Sequence, residues 1–507
     1  MKIAFVYPEY ESLGIEYLSA VLKQHGHQTK VFFDPILFKD SYFDMGGLAG
    51  LFDYKKHIVG RIVNYKPDLV AFSVLTDFYG WAKGLSRQIK EHMDVPVVFG
   101  GIHPTAVPDY VLQEKSVDYV IIGEGEYPML ELVNAIQSKN KRPQIDNVWY
   151  KKDGLIEKTK IRHLIEDLDS LPFPDKDIFY REVCNSLDYI ISTGRGCPYS
   201  CSYCHNSFTK KLYSGRGKYL RRRSPENVIE ELESGLKRYK MHSVTFQDEL
   251  FTYDKKWLSE FSVLYQRKIK LPSFCCVDPV SIDPETVDFL KRINCYAVEM
   301  GVQSLDARIR EGVLGRKYTN NDVAGSLKLL RCGGIECITD HILGLPTEGP
   351  DSYTELLEFY RKNRASHVSV FLLRYYPNTD ILSKSGLKNE DIDKINKGEN
   401  FNRFTVCGSS GKEDVIMAKE MLMLLNFLPI NLVKFCVLRR RYPFLLFIAK
   451  IYKVFLCANI FRFFNRLIRW RKMIIPYHIN AFRYLKYPLA KIKILVLGLK
   501  KEGGICE

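Results

Sequence analysis

Cys197, Cys201 and Cys204 fall within the run RGCPYSCSYCHN. Thiolates spaced this closely, on a stretch flanked by glycine and proline, have the spacing of a metal site. Iron-sulfur cubanes and structural zinc sites ordinarily close with four ligands, so a group of three leaves one coordination position open for chemistry. The pattern C-x3-C-x2-C matches neither ferredoxin spacing nor the paired C-x2-C of a zinc ribbon. The chain holds 13 cysteines. The others, such as Cys184, Cys295, Cys332 and Cys457, mostly lie in apolar stretches, where a free cysteine behaves as a small hydrophobe. Cys275 and Cys276 are adjacent, so their side chains leave opposite faces of a strand, and both are read as core, with the barrel interior as the alternative for one of them.

At this cysteine loop the chain resembles the radical S-adenosylmethionine (SAM) enzymes. The resemblance implies that Cys197, Cys201 and Cys204 hold three irons of a 4Fe-4S cluster, while the fourth iron chelates the amino and carboxylate groups of SAM. Reduction of such a cluster cleaves SAM to methionine and a 5'-deoxyadenosyl radical. Tyr203, just before the third cysteine, matches an aromatic residue that lies beside the adenine in that family.

The loop must sit on a scaffold, and the flanking sequence supplies one. Strand ends can be placed at YIISTG, SVTFQDE, SFCCV, YAVEMGV, ITDHILG and SVFLLRY, with helices such as PENVIEELESGLKRY between them. This repeat predicts a partial parallel barrel of the (β/α)6 type, whose site lies at the carboxyl ends of its strands. The cysteine loop follows the first strand. The resemblance assigns Gln247, Asp248 and Glu249, after the second strand, to the SAM amino group. A cationic ligand rationalises carboxylates there, since desolvating them unpaired is costly. By the same resemblance Glu299, Gln303 and Ser304 end the fourth strand near SAM. Gly344, Leu345 and Pro346 follow the fifth, near the adenine, and Pro377 and Thr379 form a P-x-T turn after the sixth. Arg195, inside the cysteine loop, is read either as a carboxylate partner or as a solvent-facing charge.

Residues 1–140 show a second alternation: KIAFVYP, a helix through GIEYLSAVLKQHG, then TKVFFDP, DLVAFSVL, VPVVFGG and DYVIIGEGE. Near-continuous apolar strands separated by helices predict a doubly wound, Rossmann-like sheet, with its ligand crevice at the strand carboxyl ends. The loops starting at Ser73, Gly100 and Gly123 are therefore expected to meet. Together with SLGIEYLSAVLKQHGH, these strings resemble the cobalamin-binding domain that precedes the radical SAM barrel in one large subfamily. The resemblance sets Ser73, Gly100, Gly101, His103, Pro104 and Thr105 on one side of the corrin, and Gly123, Glu124, Gly125 and Glu126 at an adjacent strand end. The D-x-H-x-x-G signature that carries the cobalt-ligating histidine of the cobalamin mutases is absent from these residues. Many members of the subfamily lack it too. His103, before proline in a loop, reads as a hydrogen-bonding or surface residue rather than a cobalt ligand.

The remaining organisation follows from length, turns and charge. A chain of 507 residues is too long for one core. We expect a cobalamin-binding domain over 1–140, a connector over 141–186, the barrel over 187–385 and a basic, mostly helical region over 386–507. Within the connector, DNVWYKKDGLIEK reads as a hairpin turning at Asp153-Gly154 and LDSLPFPD as a proline-broken linker. From Met421 to Lys501 the sequence carries 17 lysines and arginines and no aspartate or glutamate, against a net charge of +15 for the whole chain. Basic residues alternate there with aromatic and aliphatic ones, and no apolar run reaches the roughly 20 residues of a spanning helix. Such a pattern suits the headgroups of an anionic membrane first, a solvated helical cap second and nucleic acid least. The N-terminus lacks the features of a signal peptide, and many free cysteines fit a reducing compartment, so the expected location is cytoplasmic, peripheral to the inner membrane face.

The resemblance as a whole implies a cobalamin-dependent radical SAM enzyme. It would use a 4Fe-4S cluster, SAM and cobalamin, with reduced flavodoxin or ferredoxin as electron donor, and would C-methylate an unactivated carbon of a lipid, isoprenoid or other membrane-held substrate. Oxidation, cyclisation or rearrangement without methyl transfer is the alternative, as in the similarly built anaerobic magnesium-protoporphyrin cyclase. A radical SAM enzyme without cobalamin is another alternative.

Overall fold

Apolar runs become the central strands of the first sheet, because a strand covered by helices on both faces has no polar side to show. The computed structural model describes residues 1–37, 50–140, 144–183, 187–399 and 412–424. The basic segment from residue 425 onward, Cys184 and Cys457 lie outside the described residues. Among the described residues, no helix is long and apolar enough to cross a membrane.

The first sheet contains β1 (Lys2–Pro8), β2 (Gln28–Asp34), β3 (Leu69–Ser73), β4 (Val97–Gly100), β5 (Tyr119–Ile121), β6 (Val148–Lys152) and β7 (Leu155–Glu157) in the order β2-β1-β3-β4-β5-β6-β7. β1 to β5 run parallel, and the order reverses between β1 and β3, which is where doubly wound sheets open their ligand crevice. The hairpin read from DNVWYKKDGLIEK forms, with Asp153 and Gly154 at φ 49° and 80°, the left-handed pair that a two-residue turn needs. It is more than a connector, since β6 pairs antiparallel with β5 and extends the first sheet.

The second sheet holds β8 (Asp188–Ile191), β11 (Ser243–Phe246), β12 (Ser273–Val277), β13 (Cys295–Gln303), β14 (Glu336–Leu343) and β15 (His367–Leu372), parallel and in chain order. Between its first two members lies a ribbon of β9 (Gly194–Arg195) and β10 (Arg221–Arg222). β8 and β15 are the sheet's two edges, so the barrel is a partial one. Its helices start on local caps: Ser224 accepts from Asn227 N ahead of Pro225, and Asp254 accepts from Trp257 N. The helix Lys412–Leu424 adds Val415, Ala418, Met421 and Leu422 to the barrel's outer core.

The linker containing LPFPD is tied to the first domain through Lys176. This ammonium is buried and reaches Glu11 at 2.8 Å and Glu16 at 2.7 Å. A buried cation between two carboxylates fixes geometry more surely than it adds stability.

A candidate active site between two strand edges

Gly194–Arg195 and Arg221–Arg222 pair antiparallel, so the chain leaves and re-enters the barrel through one narrow ribbon. All three cysteines of the motif lie in the loop that it closes. Gly196 is fixed by this closure, because at φ +88° a Cβ would stand 2.4 Å from the Tyr219 carbonyl oxygen. Within the loop Cys204 N donates to Cys201 O (3.0 Å), and Asn206 Nδ2 donates to Cys204 Sγ (3.6 Å). All three thiols are free. Burial, with smaller contributions from neighbouring thiols, pushes Cys197 up to about 11 and raises Cys201, and burial, then Glu249, raises Cys204. Thiols in such a pocket become thiolates when a metal supplies positive charge. Among the described residues no three His, Cys, Asp or Glu side chains converge on a single ion. A cubane needs no such convergence, since each thiolate binds a different iron, and three soft free sulfurs on one loop fit it.

The other strand-end residues fall into two groups. Gln247 and Glu249 are exposed at the β11 edge, and Glu249 makes no ion pair among the described residues. Asp248 turns inward and accepts from Thr193 N and Oγ1, at 3.0 Å each, which pins the base of the cysteine loop to β11. Gln303 sits at a register shift between β13 and β14, at φ 65°. Bulges of this kind re-aim a side chain at a strand end. Ser304 is buried and accepts from Asp306 N at 3.3 Å. Gly344, Leu345 and Pro346 form a buried turn whose first two N–H groups donate to Glu348 at 2.6 and 3.1 Å. Burial raises that carboxyl to about 7. Thr379 donates to Tyr376 O at 2.7 Å, closing the P-x-T turn.

Inside the barrel, Cys276, Glu299 and Asp340 occupy the partly accessible positions of three successive strands, alternating with buried neighbours, and Ser369 of the next strand lies in register with Asp340. The expectation that both adjacent cysteines are core therefore holds for Cys275 alone, because Cys276 takes the inward register. Asp340 hydrogen bonds Glu299; burial, then that carboxylate, raises it to about 9, so Asp340 keeps its proton at neutral pH. Cys332, expected in an apolar setting, is exposed near the end of the helix Asn320–Cys332.

On the first domain the three predicted loops meet. Val74 N donates to Gly100 O (2.7 Å), His103 N to Val74 O (3.1 Å), and Gly123 N to Thr105 Oγ1 (2.9 Å). Ser73, Gly100, Gly101 and Gly125 line this edge, each only partly covered. His103 is fully buried, stacks on Tyr79 at 4.3 Å, and has neither ring nitrogen hydrogen bonded. Burial lowers its pKa to about 3, so the ring is neutral. Glu124 and Glu126, predicted at the corrin, are engaged with the barrel. Arg195 reaches Glu124 at 3.0 Å and Glu126 at 2.5 Å, and Arg221 adds a second contact to Glu124 at 2.8 Å. Gly123 lies under Tyr213 of the cysteine-loop segment, where a Cβ would stand 1.7 Å from its hydroxyl oxygen. Arg195 is thus a carboxylate partner, the first of the two readings its sequence left open.

The carboxyl edge of the first sheet therefore faces the carboxyl edge of the barrel. Besides Arg195 and Tyr213, Arg374 meets Asp77 at 2.5 Å, Asn378 Nδ2 donates to Ala106 O at 2.5 Å, and Tyr110 donates to Asp393 at 2.9 Å. Ring-sized ligands bound at either edge would look across this seam. The interlocked, glycine-lined loops at the carboxyl ends of β3, β4 and β5, where a Cβ on Gly101 would stand 2.8 Å from Val74 N, fit close backbone approach to a corrin in the first domain.

One residue near the cysteines escaped sequence reading. Arg316, in the loop after β13, donates to Cys201 Sγ at 3.5 Å and to Tyr203 Oη at 3.4 Å. Its second terminal nitrogen donates to Asp278 and to Gly301 O, both at 2.7 Å. Nothing near Arg316 in sequence marks it, since 115 positions separate it from Cys201.

Comparison with known proteins agrees with this architecture. Residues 3–133 match the B12 binding domain and residues 191–360 the Radical SAM superfamily. An uncharacterized methyltransferase of Pyrococcus horikoshii is 27% identical over 400 residues, covering 75% of this chain and 82% of that protein. The anaerobic magnesium-protoporphyrin IX monomethyl ester cyclase of Rubrivivax gelatinosus is 25% identical over 423 residues, 78% of this chain and 72% of the cyclase. In fold, the chain is similar to the radical SAM methyltransferase TsrM of Kitasatospora setae, solved with cobalamin and a 4Fe-4S cluster bound. The TM-score is 0.60 at 19% identity, over 75% of this chain and 73% of that one. With a B12 binding domain joined edge to edge to a radical SAM barrel, this chain belongs to the cobalamin-dependent radical SAM enzymes, whose cofactors are a 4Fe-4S cluster, SAM and cobalamin.

Proposed function

We propose that this enzyme transfers a methyl group to an unactivated carbon. The observation that carries the reading is the seam itself: the cysteine loop and the glycine loops of the B12 domain face each other, joined through Arg195. When bound, the cluster and SAM supply a carbon-centred radical and cobalamin supplies a methyl group. The chain's own part is to bind, orient and exclude water. Cys197, Cys201 and Cys204 would hold the cluster. Gln247 and Glu249 stand where a cationic amino group can be met, and the Gly344–Leu345 turn, held by Glu348, offers an apolar rim. The Asp340–Glu299 pair presents a hydrogen-bonding polar group inside the barrel. No side chain has to act as a base on the methylated carbon.

Radical SAM enzymes generally need a reductant such as flavodoxin or ferredoxin. The basic, aromatic stretch 421–501 supports a membrane-held lipid or isoprenoid as substrate and a peripheral cytoplasmic location, as proposals. The test is incubation with CD3-labelled SAM and a lipid extract under reducing, anaerobic conditions. Methyl transfer predicts S-adenosylhomocysteine, 5'-deoxyadenosine and a CD3-labelled product together. 5'-Deoxyadenosine without S-adenosylhomocysteine would instead assign the enzyme to the non-methylating reactions.

A further inference from the structure

From the loop after β13, Arg316 reaches into the cysteine loop with its side chain. Its side chain is 10% exposed, between Asp278 at 6% and the sulfur of Cys201, and its guanidinium lies 5.3 Å from the Tyr318 ring centre. One terminal nitrogen is fixed by Asp278 Oδ2 and Gly301 O at 2.7 Å each, which aims the other at Cys201 Sγ, 3.5 Å away, and at Tyr203 Oη. Asp278 is itself held by Val280 N at 3.0 Å and Tyr199 Oη at 3.3 Å. The contacts run from Val280 N and Tyr199 Oη through Asp278 and Arg316 to the sulfur of Cys201.

Resting on the assignment of Cys201 as a cluster ligand, we propose that Arg316 is a positioning residue that sets the reduction potential of the 4Fe-4S cluster through the Cys201 sulfur. A cluster that gains an electron becomes more negative, and a hydrogen bond or positive charge at a ligand sulfur stabilises that state over the oxidised one. Arg316 supplies both, in a site too closed for solvent to screen them fully. Asp278 opposes it by neutralising part of the charge. The pair therefore predicts shifts of opposite sign: loss of the arginine lowers the potential, because it removes the donor and leaves the Asp278 carboxylate uncompensated, whereas loss of the aspartate's charge raises it.

The test is an EPR-monitored redox titration of the reconstituted full chain without SAM, which excludes any effect of Arg316 on SAM binding. Arg316→Met should move the midpoint down by at least a tenfold change in the reduction equilibrium, 59 mV for one electron, at unchanged iron and sulfide content. Arg316→Lys should recover part of the shift, and Asp278→Asn should move the midpoint upward. A midpoint unchanged in Arg316→Met, or shifts of the same sign in Arg316→Met and Asp278→Asn, would overturn the proposal. Loss of the cluster from Arg316→Met would overturn it too, by making the residue structural, unless the Asp278→Asn titration shows the upward shift. A wild-type chain that takes up no cluster would refute the cofactor assignment itself and is recognised by its iron content.

Discussion

Removing the guanidinium of Arg195 should separate two energies that the seam combines. In Arg195→Met, Glu124 keeps Arg221 at 2.8 Å and the Ile165 N–H at 3.0 Å, so it stays compensated. Glu126 loses its ion-pair partner, and its side chain is only 6% exposed, with Oε2 already lacking a hydrogen bond. Leaving a buried carboxylate unpaired costs about 3 kcal/mol. Glu126→Gln is milder, about 1 to 2 kcal/mol, because Arg195 retains Glu124. In Arg195→Met/Glu126→Gln no charge is stranded at Glu126, so the double variant should fall short of the sum by at least about 1 kcal/mol. Urea unfolding of the cofactor-free chain, comparing the first transition of the four proteins at one pH, measures the cycle. Additivity within about 0.5 kcal/mol would mean that the contact carries no coupling, and the seam would have to be held by other groups.

Three further outcomes follow from the geometry. Gly123→Ala puts a Cβ 1.7 Å from the Tyr213 hydroxyl oxygen at φ +70°, which should destabilise the chain by about 3 kcal/mol; Tyr213→Leu in that background should restore part of it, and an unchanged urea midpoint in Gly123→Ala would refute the packing. Asp340, raised to about 9 by burial and then by Glu299, binds a proton that the unfolded chain, with a value of about 3.9, releases. Its contribution is therefore whole below about pH 4 and is lost as pH rises through about 9, and Asp340→Asn should show a shallower fall in urea midpoint between about pH 6 and pH 9 than the parent. Equal slopes would show that Asp340 does not keep its proton at neutral pH. Finally, the full chain should sediment with anionic but not neutral vesicles and be released at high salt; no sedimentation with either would leave residues 421–501 as a solvated cap.

The strands of the first sheet were legible because a parallel strand buried on both faces must be an apolar run, as in Lys2–Pro8 and Leu69–Ser73. The cysteine loop was legible because its ligands are adjacent in sequence. The glycine–glutamate string at 123–126 was harder. Carboxylates beside glycines look the same whether they face a ligand or an arginine, and Arg195 lies 71 positions from Glu124. The hairpin's turn could be read from Asp153-Gly154, yet its pairing with β5 depends on the tertiary path of the chain. Arg316 and Asp340 gave no local signal at all. Each acquires its chemistry from the neighbouring strand or loop, and only the closed barrel supplies that neighbour.

The central claim is a two-cofactor enzyme whose cluster rests on Cys197, Cys201 and Cys204, and it is tested most directly by anaerobic reconstitution with iron, sulfide and hydroxocobalamin. Metal and corrin would be quantified, and dithionite-driven SAM cleavage measured, for the parent and for Cys201→Ala. The account predicts stoichiometric cobalamin, a 4Fe-4S cluster and 5'-deoxyadenosine in the parent, with Cys201→Ala keeping the cobalamin but losing the cluster and the cleavage. A parent that binds the cluster but no cobalamin, or a Cys201→Ala variant that still cleaves SAM, would contradict it.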